Sequence, residues 1–474
     1  MKKLLALFLA VQSFPGLTQT INWDAAITIA ASSYGNLHPR ISLDRNGNPL
    51  VLWGSSNNKA QFARWNGTSF TMPVSLNPGS IPAATASWMG PNIASYGDTV
   101  YVVFKKTPEA DTLSHVYIVS SFDGGQNFSM PVRVSYISDS VARLPTVTTD
   151  NAGNPIIAFM KFNASFGDAR FAVSKSNDFG TSFSPDVKAS GFSGGEICDC
   201  CPATLLNSGS RTIMLYRDNL SNKRTIWAGI SNDNGNSFTS GVEVDNTNWM
   251  ISSCPSSGPD GVIVGDTLYS VFRSSASGTR VYFSKASLNT PTLVSAGQVT
   301  QNFSGLSSQD YPRIAHAGNA AVMAWRQVSS GNSKACISFT TDIRQGFPVA
   351  YDSIGSNNVT NLDIAMREGE IHLVWQNDAT GSVSYRKGTY ATTSVGSISS
   401  STATIMLFPN PATSHFIIPI KSAVKCLITD VNGQASYLPI INSQVSVKGL
   451  ASGIYSVHIE DKTGKKYSSK IVIE

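Results

Sequence analysis

The chain has 474 residues, of which only 14% are charged, against about 25% in an average soluble protein; 41% are hydrophobic, with 38 Gly and 22 Pro. That composition excludes a disordered chain and a coiled coil or helix bundle, and it favours many short strands and turns. The formal +5 is unevenly spread: Lys2 and Lys3 supply +2, and from Lys421 onward seven lysines face Asp430, Glu460, Asp461 and Glu474 for another +3, so residues 21–398 sum to about zero. A nucleic-acid partner is excluded by that neutrality.

The N-terminus reads as a secretory signal over residues 1–20: Lys2-Lys3, an apolar run from Leu4 to Val11, then a polar stretch with cleavage expected near Gln19 or Thr20. No other stretch has the length of apolar residues that a membrane helix needs, so no transmembrane segment is expected. A repeat then organises the chain. A short motif, often Pro-x-Ile, enters an apolar strand, a Gly or Asp turn follows, and a second strand ends in an aromatic residue. The copies begin at His38, Gly90, Leu144, Cys201, Cys254, Tyr311 and Asn361 and reach Trp53, Phe104, Phe159, Tyr216, Phe272, Trp325 and Trp375. Their starts are 52, 54, 57, 53, 57 and 50 residues apart. After the third strand, three copies carry Ser-x-Asp-x-Gly-x-x-Phe: Ser121, Asp123, Gly125 and Phe128; Ser176, Asp178, Gly180 and Phe183; Ser231, Asp233, Gly235 and Phe238. Asp and Ser bond within such a tight turn, Gly takes a backbone angle other residues resist, and Phe plugs between neighbouring sheets. Asp123, Asp178 and Asp233 are therefore read as structural.

These boxes resemble the Asp-box (BNR) repeats of sialidase-like β-propellers. The resemblance implies an all-β propeller over residues 21–390 with four strands per blade, seven blades favoured and six the alternative. The seventh copy lacks a fourth strand after Lys387, and the N-terminal segment from Trp23 to Ala31 is expected to supply it. Residues 391–404 form a Ser/Thr-rich linker. Residues 405–474 carry Leu407-Phe408-Pro409-Asn410-Pro411-Ala412, Leu427-Ile428-Thr429-Asp430-Val431-Asn432-Gly433 and Gly453-Ile454-Tyr455, then a basic stretch before the terminal strand. This tail resembles the C-terminal sorting domain of type IX secretion cargo from the Bacteroidetes, a small Ig-like β-sandwich. It implies the type IX machinery as a partner and a protein secreted or attached at the cell surface.

Residues just after the aromatic markers occupy one register, and three consecutive copies place arginine there: Arg217, Arg273 and Arg326. Three arginines could converge on an anion, and sialidases hold a substrate carboxylate with three; inter-blade hydrogen bonding is the competing explanation. Arg40 and Arg313, each after a proline, form a second basic pair. The sialidase order Arg-Ile-Pro is absent, since the chain reads Pro39-Arg40-Ile41. For the Tyr, Glu and Asp roles of sialidase chemistry the candidates are Tyr311 (with Tyr216 nearby in the pattern), Glu196 and Asp310. The segment Cys198-Asp199-Cys200-Cys201 is the most unusual feature. In an exported protein two disulfides among Cys198, Cys200, Cys201 and Cys254 are the default. A thiolate site suited to zinc or copper(I) is the competing reading, and Cys-x-Cys-Cys is poor zinc spacing, so neither metal nor cofactor is expected. Two functions follow: a sialidase-like propeller engaging a glycan or glycoprotein, acting as an exo-glycosidase on acidic sugars, or a non-catalytic propeller binding carbohydrate or protein at the cell surface.

Overall fold

A computed structural model describes residues 21–474 except 110, 112–113, 136–140, 164, 355–357, 392–402, 431–433 and 464. The expected signal over 1–20 and most of the expected linker lie outside the described residues. The chain forms two compact units, divided at Thr392/Thr393. Among the described residues there is no α-helix, only two short 3-10 turns at Ser32–Tyr34 and Ile343–Gln345.

Among its described residues the first unit contains seven antiparallel sheets laid down in chain order, each built around a meander of adjacent strands. The first has strands Leu37–Leu43, Pro49–Gly54, Ala60–Arg64 and Val74–Ser75; the sixth has Leu306–Ala317, Ala320–Ser329, Asn332–Thr340 and Asp352–Ile354. In the seventh, Val359–Arg367, Glu370–Asn377 and Ser382–Thr389 are joined by two pieces from the chain's start. Asn22 pairs with Thr389 and Ile27 with Tyr385, so the outermost strand of the last sheet comes from the N-terminal segment.

Apolar residues on both faces of every second strand explain how the sheets associate. Each pair of consecutive sheets encloses its own buried cluster, and one more cluster joins the seventh to the first through Val374, Val383 and Tyr385 against Ile41, Val51 and Trp53. The seven aromatic markers, Trp53 to Trp375, are at most 1% exposed. Fully burying such a side chain contributes about 1.5–3 kcal/mol, and spreading this over seven seams makes the sheets mutually dependent. First strands of neighbouring sheets contact in cyclic order, the seventh meeting the first.

Register corrects one sequence expectation. Asp260 pairs with Val271, the residue before Phe272, just as Arg40 pairs with Leu52 before Trp53. The fifth repeat therefore enters at Gly258-Pro259-Asp260, and Cys254-Pro255 lies in the loop ahead of it. Pro255 and Pro259 lie four residues apart, and strand pairing puts the second of them at the entrance.

The three boxes have one geometry. Ser121, Ser176 and Ser231 each donate their hydroxyl to the Asp two residues on at 2.7 Å and accept the Gly N–H at 2.8–2.9 Å. Gly125, Gly180 and Gly235 all have positive φ, 78–88°. Phe128 meets Phe62 of the preceding sheet edge-on at 5.0 Å, and Phe183 and Phe238 likewise pack into the clusters shared with the preceding sheet.

The second unit has a five-stranded sheet with the order Ala403–Thr404, Lys466–Ile473, Gly453–Asp461, Ala423–Thr429, Ala435–Leu438, its first pair parallel, and a two-stranded sheet of His415–Ile417 with Gln444–Ser446. Phe416, Val445, Ile428, Val457 and Ile471 meet in its core, together with Cys426.

Asp178 provides a pH test. The Ser182 hydroxyl, with the Ser182 N–H and the Ser176 hydroxyl, holds its carboxyl down to about 2 from an ordinary 3.8. A carboxyl depressed by folding stabilises above its unfolded pKa, and that contribution is lost as pH falls through the folded one. Denaturant unfolding of Asp178→Asn should therefore show a deficit relative to the parent at pH 5 that shrinks between pH 4 and 2. A deficit independent of pH would contradict this account of the box.

Candidate functional site

The seven first strands present equivalent side chains where their entrances meet. The residue paired opposite the one preceding each aromatic marker is, in chain order, Arg40, Asn92, Thr146, Thr204, Asp260, Arg313 and Asp363. Most of these, with His38, Trp88, Met89 and Tyr311, line a single narrow cavity of about 30 Å³, room for a water or two. Sequence reasoning found Arg40 and Arg313 through their prolines and missed Asp260 and Asp363. The available signal was the residue before the first-strand Ile, filled by Arg, Arg and Asp in Arg40-Ile41, Arg313-Ile314 and Asp363-Ile364.

This ring is electrically balanced. Going round from the fifth sheet through the seventh to the first, the order is Asp260, Arg313, Asp363, Arg40, while the other three positions are neutral. Arg313 Nη1 lies 4.0 Å from Asp260 Oδ2, and its Nε 3.6 Å from Asp363 Oδ1. Both aspartates also fasten sheets together: Asp260 Oδ2 accepts the Ile314 N–H and Asp363 Oδ2 the Ile41 N–H, each at 3.0 Å. Arg40 donates to Asn361 Oδ1 at 3.1 Å and to the Pro39 carbonyl at 2.6 Å. Burial, with Arg313 beside it, lowers the Arg40 guanidinium to about 9, and burial also raises the Asp260 carboxyl.

The arginine trio does not gather around one anion. Arg217 is fully buried; Nη1 donates to the Arg224 carbonyl at 2.8 Å, Nη2 to the Arg273 carbonyl at 2.7 Å, and Nε and Nη2 to the Ser257 carbonyl at 3.3 Å. Arg273 Nη1 bonds the Pro255 carbonyl at 3.0 Å and Asp310 Oδ2 at 3.1 Å. Arg326 Nε bonds the Val359 carbonyl at 2.9 Å. Each reaches forward to the next sheet or its entrance loop, and Gln376, in the same register, accepts the His38 N–H at 3.2 Å. Trp249 lies between Arg217 and Arg273, 5.3 and 5.6 Å from their guanidinium carbons. The shared register identified equivalent residues, but their job is to tether neighbouring sheets.

The expected acid, base and nucleophile are not brought together by their contacts. Glu196 is exposed, accepts the Asp168 N–H at 2.9 Å and sits on a short strand, Glu196–Ile197, pairing with Asn219 and Asp218. Asp310 and Tyr311 belong to the sixth sheet. Asp310 has both oxygens engaged, accepting the Ser257 hydroxyl at 2.6 Å and the Tyr311 N–H at 2.8 Å besides Arg273. Burial, then Asp310, raises the Tyr311 hydroxyl above the ordinary tyrosine range, which opposes its ionisation as a nucleophile. Tyr216 is buried and accepts the Gly191 N–H at 3.1 Å.

The expected disulfides are not formed: Cys198, Cys200, Cys201, Cys254, Cys336 and Cys426 are all thiols. Cys198 Sγ is 3.6 Å from Cys200 Sγ and 3.3 Å from Cys201 Sγ, well beyond an S–S bond of about 2.05 Å. A tight turn, closed by the Cys201 N–H on the Cys198 carbonyl, directs the three sulfurs to one point. Cys254 is exposed, 3.7 Å from Asp199 Oδ1.

Arg217 gives a stability test. Removing it leaves three buried carbonyls without their donor, each costing about 1–3 kcal/mol, so urea denaturation of Arg217→Met should show a loss of about 3 kcal/mol or more. A variant as stable as the parent would return Arg217 to the ligand-binding candidates.

Among solved structures the chain is similar to a protein of unknown function from Dyadobacter fermentans DSM 18053, at 11% identity and a TM-score of 0.48, covering 80% of this chain and 100% of that one. It is also similar to the Hadza microbial sialidase Hz136, at 11% identity and 0.45, covering 77% and 68%. The intramolecular trans-sialidase from Ruminococcus gnavus is similar at 12% identity and 0.44, covering 63% and 94%. No curated protein matches the chain. Residues 406–474 match the secretion system C-terminal sorting domain; the tail is such a domain and marks the chain for type IX export, to the cell surface or beyond it.

Proposed function

We propose that the exported chain is a seven-bladed propeller that engages glycans at the mouth of its central channel without sialidase-type hydrolysis. The observation that carries this is the employment of Arg217, Arg273 and Arg326 as tethers between sheets. A carboxylate trap requires guanidinium groups free to meet the ligand, and these donate to groups of the protein itself. The balanced Asp260, Arg313, Asp363, Arg40 arc supports the same reading, because a second anion would meet two aspartates there. Away from the arc the cavity wall is neutral, with Asn92 and Thr204, and Trp88 lines it too. Neutral polar groups next to an exposed part of an indole suit the hydroxyls and apolar face of a sugar.

A second reading retains an exo-glycosidase acting on acidic sugars. It is favoured by one observation: the buried Nε of Arg40 has no hydrogen-bond partner among the described residues, that of Arg313 has only its 3.6 Å ion pair with Asp363, and both side chains line the cavity.

The full mature chain should bind a subset of an immobilised oligosaccharide panel, with Trp88→Ala weakening that binding at least tenfold, as for an aromatic anchor. It should release no fluorophore from a fluorogenic sialoside. Turnover that disappears in Arg313→Ala and Tyr311→Phe would overturn the binding reading in favour of the glycosidase.

A further inference from the structure

We propose that Cys198, Cys200 and Cys201 hold a thiophilic d10 metal ion, copper(I) or zinc, as three thiolates at the entrance to the fourth sheet. The three sulfurs lie within 4.8 Å of one another, and Cys198 Sγ stands 3.3 Å from Cys201 Sγ and 3.6 Å from Cys200 Sγ. Sulfurs 2.3 Å from a common tetrahedral ion would be about 3.8 Å apart, so a shift of a few tenths of an ångström makes the set a binding site. Disulfide formation would need sulfurs to close by more than an ångström and would leave the third without a partner inside the turn. The poor zinc spacing read from the sequence matters less once the turn is seen to aim positions one, three and four of the segment at one point.

The surroundings match an anionic metal–thiolate centre. Arg217 is a fully buried cation whose hydrogen bonds go to carbonyls, with no carboxylate within ion-pair distance among the described residues. Arg217 is tied to the turn through its own carbonyl, which accepts the Cys198 N–H at 2.9 Å, and its charge acts on both Cys198 and Cys201. A buried cation needs a counter-charge; the one carboxylate among the described residues that acts on Arg217 is Asp245, whose own burial opposes its ionisation. Each thiol that binds releases one proton, so three thiolates carry −1 around zinc(II) and −2 around copper(I), and Arg217 offsets one unit of either. Cys198 and Cys201 are sealed from solvent, whereas the Cys200 sulfur also forms a group with Asp199 and Cys254, both exposed. That edge gives an ion its way in and offers zinc a fourth ligand. The bound ion would fix the entrance loops of the fourth and fifth sheets to each other.

The test uses the full mature chain, reduced and held under argon. Copper(I), supplied as its acetonitrile complex against a competing chelator, and zinc(II) are titrated separately while charge-transfer absorption and bound metal are measured. One ion per chain is expected, with at least tenfold weaker binding in each of Cys198→Ser, Cys200→Ser and Cys201→Ser, and no change in Cys336→Ser. Sensitivity to Cys254→Ser with zinc alone would support the same site with a fourth ligand. Alkylation of the unmutated protein guards against misfolding of the variants, because bound metal should protect these three cysteines. Failure of the folded, reduced parent to bind either ion would overturn the proposal. So would peptide maps of freshly exported protein showing Cys198–Cys201 and Cys200–Cys254 disulfides.

Discussion

Everything in the first unit depends on joints between sheets that share no backbone ladder. Within a sheet, N–H and C=O groups satisfy one another; between sheets, orphaned backbone groups must be met by side chains. The joints found here are of two kinds. Inner-strand carboxylates take a backbone N–H from the next sheet, as Asp363 does from Ile41 and Asp260 from Ile314. Residues after the aromatic markers reach forward as well, from Arg217 to Ser257, Arg273 to Asp310 and Arg326 to Val359. The seam between the last sheet and the first uses both kinds, adding Gln376 to His38 and Arg40 to Asn361, and then a borrowed outer strand. It is the seam that chain connectivity does little to hold.

This use of charge constrains chemistry. A buried guanidinium bonded on several sides is costly to disturb, so an arginine that closes a seam cannot also move to meet a substrate. Sialidase-like chemistry asks for arginines at the channel; this chain has them in number, and their hydrogen bonds are directed sideways. The aspartates alternating with Arg313 and Arg40 keep the inner wall neutral, in keeping with the near-zero charge of residues 21–398. The seven lysines from Lys421 onward belong to the sorting domain, so most of the net +5 carries no information about a ligand of the first unit.

What was legible in the sequence was what is local. A box of eight residues folds on itself, so Asp123, Asp178 and Asp233 could be assigned from spacing alone, and so could the aromatic markers, which recur at a fixed distance from their strand entrances. The vacancy in the seventh sheet was legible by counting strands, and Trp23 to Ala31 supplied the filling. What was not legible depends on partners far away in the chain. The Asp260 to Asp363 arc requires knowing that Asp260, and not a residue after Pro255, starts the fifth inner strand. The direction of Arg217 requires knowing that Ser257 and Arg273 lie against it. Glu196 is a candidate by residue type alone, and the pairing of Glu196 and Ile197 with Asn219 and Asp218, which makes their segment an extension of the fourth sheet, has no local signal.

A ring of equivalent sheets confines function to the places where equivalence breaks. The repeat, the boxes and the tethers occur several times over and serve the scaffold; none of them marks one side of the channel as different from another. Two features do. The ring of inner residues is charged over the fifth, sixth, seventh and first sheets and neutral over the second, third and fourth. The loop into the fourth sheet carries three clustered cysteines and an added strand found at no other described entrance. These two departures adjoin, since Thr204 of the neutral arc follows Cys201 by three residues. A ligand seated on the neutral side would therefore touch the wall that the cysteine turn holds in place, and loosening that turn would weaken its binding.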